Sequence, residues 1–443
     1  MSIDSQRLAM TFRQIVLMNF GFFGIQYSFG LQQTAINPIF SFLNADPGQL
    51  PILNMAGPIT GLLVQPLIGA LSDRTWVNGL GRRRPYFLIG AIGCSICLFF
   101  YPHVTALWMA VLLLWLLDIS NNTAMEPYRA FIADKLPVNQ QPTGFLMQSV
   151  FTGLGITLAN VSLYFFQQWI GGESSSGIPY WVYGSFYIGA VCSIGSVLIT
   201  VFSTKEERPS DEALAAMRAQ PRGLIPAVRE IGEAIKDMPK PLWQLALVYL
   251  FQWYAMFIYW QYITLTIAKS VWNAEQGDKQ LFEQAVGWTG LVNGWYNIVT
   301  FISAFGLMVL ARKYQAKYVH AFSISLAALA MLILPHISNK FLLFIPMIGF
   351  GIAWASIMGV PFLIAVVEVP KERYGVYMGI INMMIVIPML IETVTFGYIF
   401  TNFLGGDPHN AMTFGGVLMI LAAVATLFVR TSQRPEVDLQ AKA

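Results

Sequence analysis

Residues 105–137 read TALWMAVLLLWLLDISNNTAMEPYRAFIADKLP. The segment opens as an apolar run and then carries Asp118, Asn121, Asn122, Glu126 and Arg129 without a break in helical character. A bilayer core is about 30 Å thick and is crossed by about 20 apolar residues. If the helix enters near residue 106, Asp118 lies about 18 Å along it at the usual helical rise, close to mid-depth. Ionisable groups there are costly and mark function. A carboxyl that loads and releases a proton is one reading of Asp118; a buried acid paired for structure is the other. Asp118, Asn122, Glu126 and Arg129 share one helical face, which predicts a water-lined interior. Glu126 is expected either to take part in proton coupling or to pair with Arg129 at i,i+3.

The rest of the chain fits a membrane protein. Of its 443 residues, 56% are hydrophobic and 11% charged, against roughly 25% charged in soluble domains. The net charge of +3 gives no footing for nucleic acid. Twelve apolar spans are predicted, at about 12–35, 48–72, 86–102, 106–133, 143–168, 180–203, 242–268, 285–310, 318–335, 341–368, 375–401 and 410–430. With the N-terminus cytoplasmic, 23 of the 26 Lys and Arg residues fall on the cytoplasmic side; Lys269, Lys279 and Lys340 are left outside. The positive-inside rule therefore predicts twelve crossings with both termini cytoplasmic. The first apolar run is long enough to stay in the membrane rather than serve as a cleaved signal. A bacterial inner membrane is the expected location. The expected lodging is a monomer in a lipid bilayer.

The long polar loop at 204–240 divides the chain into an N-terminal bundle (1–203), a cytoplasmic connector and a C-terminal bundle (241–443). The halves echo each other. The fourth span ends PYRAFIAD (127–134) and the tenth PFLIAVVE (361–368); the next spans begin GFLM (144–147) and GVYM (375–378). Repeated six-helix halves with a substrate site between them are a transporter plan.

Several stretches resemble a known family. GPITGLLVQPLIGALSDR (57–74) with GRRRP (81–85) is similar to the loop 2–3 signature of the major facilitator superfamily. GIQYSFGLQ (24–32), LDISNNTAMEPYRAFIAD (117–134), FQWYAMF (251–257) and GVYMGIINMMIVIP (375–388) resemble its sucrose and maltose proton-symporter branch, the plant sucrose transporters and the glycoside–pentoside–hexuronide cation symporters. The resemblance implies the twelve-helix major facilitator fold and proton-coupled import of a glucoside by alternating access. It also implies that Asp118 carries the proton. Plant members tie an arginine associated with the fifth span to sugar binding; here that span offers only Gln148 and Asn160.

Sugars are held by hydrogen bonds to hydroxyls and by aromatic faces, and a side-chain amide in a bilayer needs a partner or water. Gln26, Asn122, Gln252, Trp253, Asn293, Asn297 and Asn382 are therefore candidate sugar ligands. Glu392, beyond Pro388 in the outer half of the eleventh span, is a candidate to bind a sugar hydroxyl, couple a second cation or cap the outer gate. Asp73, Arg74, Arg82 and Arg83 form a loop cluster whose charge pairs can latch the two halves or simply set topology; Arg129 and Asp134 read as gate or packing contacts rather than sugar ligands, and Glu368, a gating candidate, as a cytoplasmic ion pair beside Lys371 and Arg373. Gly57 and Gly61 form a GxxxG pair suited to close helix packing. Cys94, Cys97 and Cys192 read as apolar packing residues, and the four histidines are scattered, so no metal, cofactor or catalytic group is expected. An uncoupled sugar facilitator and a transporter-like sugar sensor are the alternatives; the short tail after residue 430 argues against the sensor.

Overall fold

The computed structural model describes residues 9–137, 139–208, 210, 212, 214, 232–274, 278–368 and 374–430, with the side chains of Asp73, Arg74 and Glu368 outside the description. The helices are α1 (Phe12–Asn19), α2 (Gly21–Phe42), the single turn α3 (Leu50–Leu53), α4 (Ala56–Arg74), α5 (Arg84–Phe100), α6 (Leu107–Lys135), α7 (Gln141–Trp169) and α8 (Tyr180–Ser203). After the connector come α9 (Lys240–Trp272), α10 (Lys279–Lys313), α11 (Ala316–Ile333), α12 (Phe344–Glu368), α13 (Tyr374–Asn402) and α14 (Pro408–Leu427). The first predicted span is thus two helices in line, parted at Phe20.

Ten of the described helical segments are both long and apolar enough to cross a bilayer. The two long helices outside that set, α2 and α10, have 22 and 35 residues and enough length to cross. Their apolar character is interrupted by Gln26, Gln32, Gln33 and Asn37 on α2 and by Asn293 and Asn297 on α10. Amides of this kind need internal partners in hydrocarbon, and these two helices supply much of the polar lining described below.

Two six-helix groups follow from the packing. In the first, α2 packs on α7 and α8, α5 on α6 and α8, and α4 on α6; in the second, α9 packs on α13 and α14, α11 on α12 and α14, and α10 on α12. Between the groups, α7 runs against α10, α2 meets α9 and α10, and α13 meets α3 and α4. A buried apolar cluster passes through this junction: Ile39, Phe42 and Ile178 of the first half share it with Tyr262, Val286, Phe396 and Phe400 of the second.

That cluster lies at the end of the bundle away from the termini. Around it, Tyr262 donates to the Pro47 carbonyl at 2.8 Å, Asn37 Nδ2 to the Trp260 carbonyl at 3.3 Å and Trp181 Nε1 to Glu283 Oε2 at 3.2 Å. Gln167 donates to the Glu283 carbonyl, and Lys279 pairs with Glu173. Phe301, Ile302, Phe305, Val309 and Leu310 are exposed along one side of α10, and a Cβ built on Gly306 on that side would meet nothing within 4 Å. The contacts named above seal the molecule at the end away from the termini.

Close helix contacts fall elsewhere than on the GxxxG pair. A Cβ on Gly57 or Gly61 would have its nearest neighbour at 3.9 Å, an ordinary contact. Tighter approaches include Gly24, where a Cβ would lie 2.2 Å from the Cys192 carbonyl oxygen, and Gly155, 2.5 Å from that of Phe23. Gly57 instead faces Asp118, and Gly61 faces Val386 of the other half.

Candidate functional site

On the first half, α6 supplies the acid and α2 and α4 its surroundings. Asp118 is 1% exposed. Its Oδ1 accepts from Gln32 Nε2 at 2.7 Å, while Oδ2 has no protein donor and points toward Gly57. Gln32 is held in turn by Asn121 Nδ2 at 3.4 Å, and Asn121 Oδ1 accepts from Cys94 Sγ at 2.9 Å. One helical turn on, Asn122 donates to Thr60 Oγ1 at 3.1 Å and to the Asp118 carbonyl at 2.9 Å, and accepts from Gln65 Nε2 at 2.7 Å. Asp118, Asn121 and Asn122 are thus gathered with Gln32, Thr60 and Gln65. Glu126 and Arg129 are on the same helix but form their own half-exposed pair at 3.8 Å. Gln26 is buried nearby, with a weak contact from Nε2 to Met125 Sδ at 4.0 Å.

A polar chain crosses the junction. Tyr259 donates to Asn293 Oδ1 at 2.9 Å, Asn293 Nδ2 donates to Thr34 Oγ1 at 3.1 Å, and Thr34 donates to Asn160 Oδ1. Both polar atoms of Asn293 are therefore engaged by protein, and Asn297 Nδ2 donates back to the Asn293 carbonyl at 2.8 Å. Asn293 thus joins the halves, whereas Asn297 bonds back along its own helix. Asn382 is half-buried on α13.

On the second half, Trp253 and Trp260 of α9 meet Trp354 of α12. The ring centroids are 5.9 Å apart for Trp253–Trp354, 5.5 Å for Trp260–Trp354 and 6.5 Å for Trp253–Trp260. The indole N–H groups of Trp253 and Trp260 are buried with no acceptor, and so is Gln252 Nε2. Buried polar groups are ordinarily paired, so the unmatched Trp253 indole beside these rings makes this face a candidate site for a polar guest. Behind it, the fully buried His320 faces Gln252 Oε1 through Nε2 at 3.0 Å and Ser356 Oγ through Nδ1 at 2.9 Å. Trp354 and His320 were missed from sequence. The former sits in an otherwise apolar span, and the latter lies near a loop in the chain but deep in the bundle.

The basic cluster after α4 bonds to Asp134 and Ser72 of the first half and to Glu206 of the connector. Arg82 and Arg83 both pair with Asp134, Arg83 Nε at 2.8 Å, and Arg83 Nη1 donates to Ser72 Oγ at 2.5 Å. The backbone N–H groups of Arg82, Arg83 and Arg84 all donate to the Glu206 carboxylate, at 2.9, 2.9 and 3.1 Å. A carboxylate at the start of α5 satisfies free N–H groups and meets the positive end of the helix dipole. In these contacts the cluster ties the first half to the start of the connector. The other gating candidates, Asp73, Arg74 and Glu368, lie outside the described side chains. Among the described residues no group of three or more His, Cys, Asp or Glu is placed to hold a metal.

A sequence model described as Major Facilitator Superfamily matches residues 18–391. The chain belongs to the major facilitator superfamily. Within the superfamily it is similar to the sucrose transport protein SUT5 of Oryza sativa subsp. indica, 23% identical over 94% of this chain and 88% of the relative. The sucrose transport protein SUC4 of Arabidopsis thaliana is 24% identical over 91% and 88%. Among solved structures, a variant of the nucleoside transporter NupG superposes with a TM-score of 0.72 at 15% identity, covering 94% of this chain and 98% of that one. This facilitator is accordingly a multi-pass membrane transporter and not an enzyme. Its two buried faces, the Asp118 group and the indole group, belong to opposite halves of the fold.

Proposed function

We propose that the chain is a proton-coupled importer of a glucoside sugar, a disaccharide such as sucrose or maltose, working by alternating access. The observation that carries this reading is Asp118. It is a buried carboxyl on a membrane-crossing helix, with one oxygen held by Gln32 and the other lacking a donor. An ion in such a site costs several kcal/mol of lost hydration, and a proton taken up on Oδ2 removes that cost. The sealed arrangement therefore favours the loaded acid. Similarity to two plant sucrose transport proteins supports a sugar as the companion substrate.

In this reading sugar sits between the halves. The faces of Trp253, Trp260 and Trp354 take its C–H surfaces, and Gln252 and the bare indole N–H groups donate to its hydroxyls. Asn122 and Gln65 offer further partners from the first half. Asp118 protonates with the bundle open at the end away from the termini. Proton and sugar together permit that end to seal, and both leave at the end that carries the termini. Residues 1–203 and 241–443 are the two rocking units, joined by the connector 204–240. The positive residues orient the end that carries the termini to the cytoplasm of a bacterial inner membrane.

Uptake of labelled sucrose and maltose into proteoliposomes tests this. Accumulation against a gradient with an inward proton gradient, abolished by a protonophore, is expected. Equal uptake with and without the protonophore makes the chain a facilitator.

A further inference from the structure

Asp118 is held by an amide whose own orientation is fixed from behind. Gln32 of α2 bridges Asp118 and Asn121, which stand three residues apart on α6. Its Nε2 donates to Asp118 Oδ1 at 2.7 Å, and its Oε1 accepts from Asn121 Nδ2 at 3.4 Å. Asn121 Oδ1 in turn accepts from the Cys94 thiol of α5 at 2.9 Å. Cys94, Asn121 and Asp118 are buried, and Gln32 is half-buried. The chain Cys94–Asn121–Gln32–Asp118 thus runs through three helices of the first half with every donor directed toward the carboxyl.

A side-chain amide can be turned end for end, and its partners decide which end faces where. Here both ends of the chain decide alike. A carboxylate oxygen only accepts, so it takes the Nε2 end of Gln32; the thiol has a hydrogen to give, so it takes the Oδ1 end of Asn121. Turning Asn121 alone would set its oxygen against that of Gln32. Turning both would set the Gln32 oxygen against Asp118. The direction also survives protonation, because a proton on the bare Oδ2 leaves Oδ1 an acceptor. The second half offers the contrast. Glu392 of α13 is 0% exposed, and its Oε2 accepts from Gln261 Nε2 at 3.2 Å, within that half. Gln261 Oε1, however, is buried with no donor, so no group among the described residues fixes that amide from behind.

No basic side chain competes for Asp118 among the described residues. Its helix packs on α2, α4, α5 and α7. Neither α2 nor α7 carries a charged residue, and their tyrosines Tyr27 and Tyr164 meet Ser162 and Trp288. The charges of α4 are Asp73 and Arg74 at its far end, and Arg84 at the start of α5 bonds the Val201 carbonyl. The titratable groups facing Asp118 are the Cys94 thiol and the Tyr101 hydroxyl just past α5. On α6 itself, Glu126 and Arg129 pair with each other from two turns on. The Gln32 bond is thus the one protein donor to this carboxyl, and such a bond supports the ionised form more than the neutral one. We infer that Asn121 and Cys94 are positioning residues for the proton cycle: they lock Gln32 as a donor to Oδ1, which reserves Oδ2 for the proton and sets the pH at which that proton is given up. The inference rests on the proposed role of Asp118 and adds the residues that tune it.

The test is exchange of labelled sucrose or maltose across proteoliposomes held at the same pH on both sides. Exchange needs the acid loaded but no net proton movement, so its fall toward alkaline pH reports the loading. Each profile is scaled to its own acid plateau. Exchange by the unaltered chain should fall as pH rises, and exchange by Asp118→Asn should stay flat. Gln32→Leu and Asn121→Leu should each move the fall to higher pH by about one unit, the worth of a hydrogen bond to a charged group. Cys94→Ala should move it the same way by less, and Cys94→Ser, which keeps a donor, should restore it. Gln32→Leu combined with Asn121→Leu should move it no further than Gln32→Leu alone, because Asn121 acts through Gln32. A fall at unchanged pH in Asn121→Leu overturns the inference, as does a double variant whose shift is the sum of the two. Where Asn121→Leu does not fold, coincident profiles for Cys94→Ala and Cys94→Ser overturn it. If the unaltered chain shows no fall, or Asp118→Asn keeps it, the proton role of Asp118 is lost and this inference with it.

Discussion

Gly397→Ala probes the seal directly. A Cβ built on Gly397 lies 2.4 Å from the Gly48 carbonyl oxygen and 3.6 Å from its carbon. Ordinary C···O approaches are about 3.3 Å or more, so α13 and the turn at Pro47–Gln49 would have to move apart by about 1 Å. Both sides are backbone, and no side chain can swing away. The Tyr262–Pro47 hydrogen bond of 2.8 Å sits in the same contact and would stretch past its useful range. Overpacking of this kind costs about 1–3 kcal/mol, and a lost hydrogen bond about 1 kcal/mol. A net penalty of about 2 kcal/mol lowers the closed-to-open ratio about 30-fold. The assay is the distance between spin labels at Ser175 and Phe403, both exposed at the sealed end on opposite halves, together with initial sugar uptake. The open distance should dominate and uptake should fall roughly in proportion. Gly379→Ala, on the same helix with nothing within 4 Å of its added Cβ, should change neither. If Gly397→Ala also leaves both readouts unchanged, the seal does not depend on this backbone contact and the closure argument fails.

Three further outcomes are expected. Trp354→Ala removes one face of the indole group and should raise the half-saturating sugar concentration about tenfold, whereas Trp354→Phe should keep most of the affinity; concentration series of labelled uptake decide this. The Glu173–Lys279 pair is 51% and 38% exposed on its two side chains, so Lys279→Ala should cost under about 1 kcal/mol of closure and shift the label distances only slightly, less at high salt. Asp407 caps α14. Burial alone would raise its pKa, but the hydrogen bonds from Lys269 and the His409 backbone N–H outweigh it and hold the carboxyl below its usual range. A depressed folded-state pKa stabilises fully above the unfolded value of about 3.9 and is lost as pH falls through the folded value. Asp407→Ala should therefore lower thermal stability in detergent at pH 7, by about 1 kcal/mol for a partly exposed cap. The deficit should vanish in strong acid.

Much of the architecture was legible because a bilayer imposes a long apolar run on every crossing. The acids were legible for the converse reason: Asp118 and Glu392 interrupt such runs. Their partners were not. Nothing in the chain says that Gln32 rather than Gln26 reaches Asp118, since that depends on how α2 is rotated against α6. Asn293 read as a free amide but bonds across the junction to Thr34, while Asn297 bonds back along α10. The seal at Glu173, Lys279 and Glu283 was hidden in segments that read as loop ends. Gly57 and Gly61 matched a packing motif, yet the close approaches occur at Gly24 and Gly155, where pairing depends on distant residues. Arg82 and Arg83 were read as members of a latch between halves; the acceptors they share are Asp134 of their own half and Glu206 of the connector.

The central claim is that Asp118 carries a proton with each sugar. It is tested most directly in proteoliposomes containing a pH-sensitive dye, given sucrose or maltose from outside, with the unaltered chain and Asp118→Asn compared. Internal acidification on adding one of these disaccharides is predicted for the unaltered chain. Asp118→Asn should lose that acidification while still exchanging labelled sugar. Labelled sugar entering equally through both proteins with no acidification would contradict the claim.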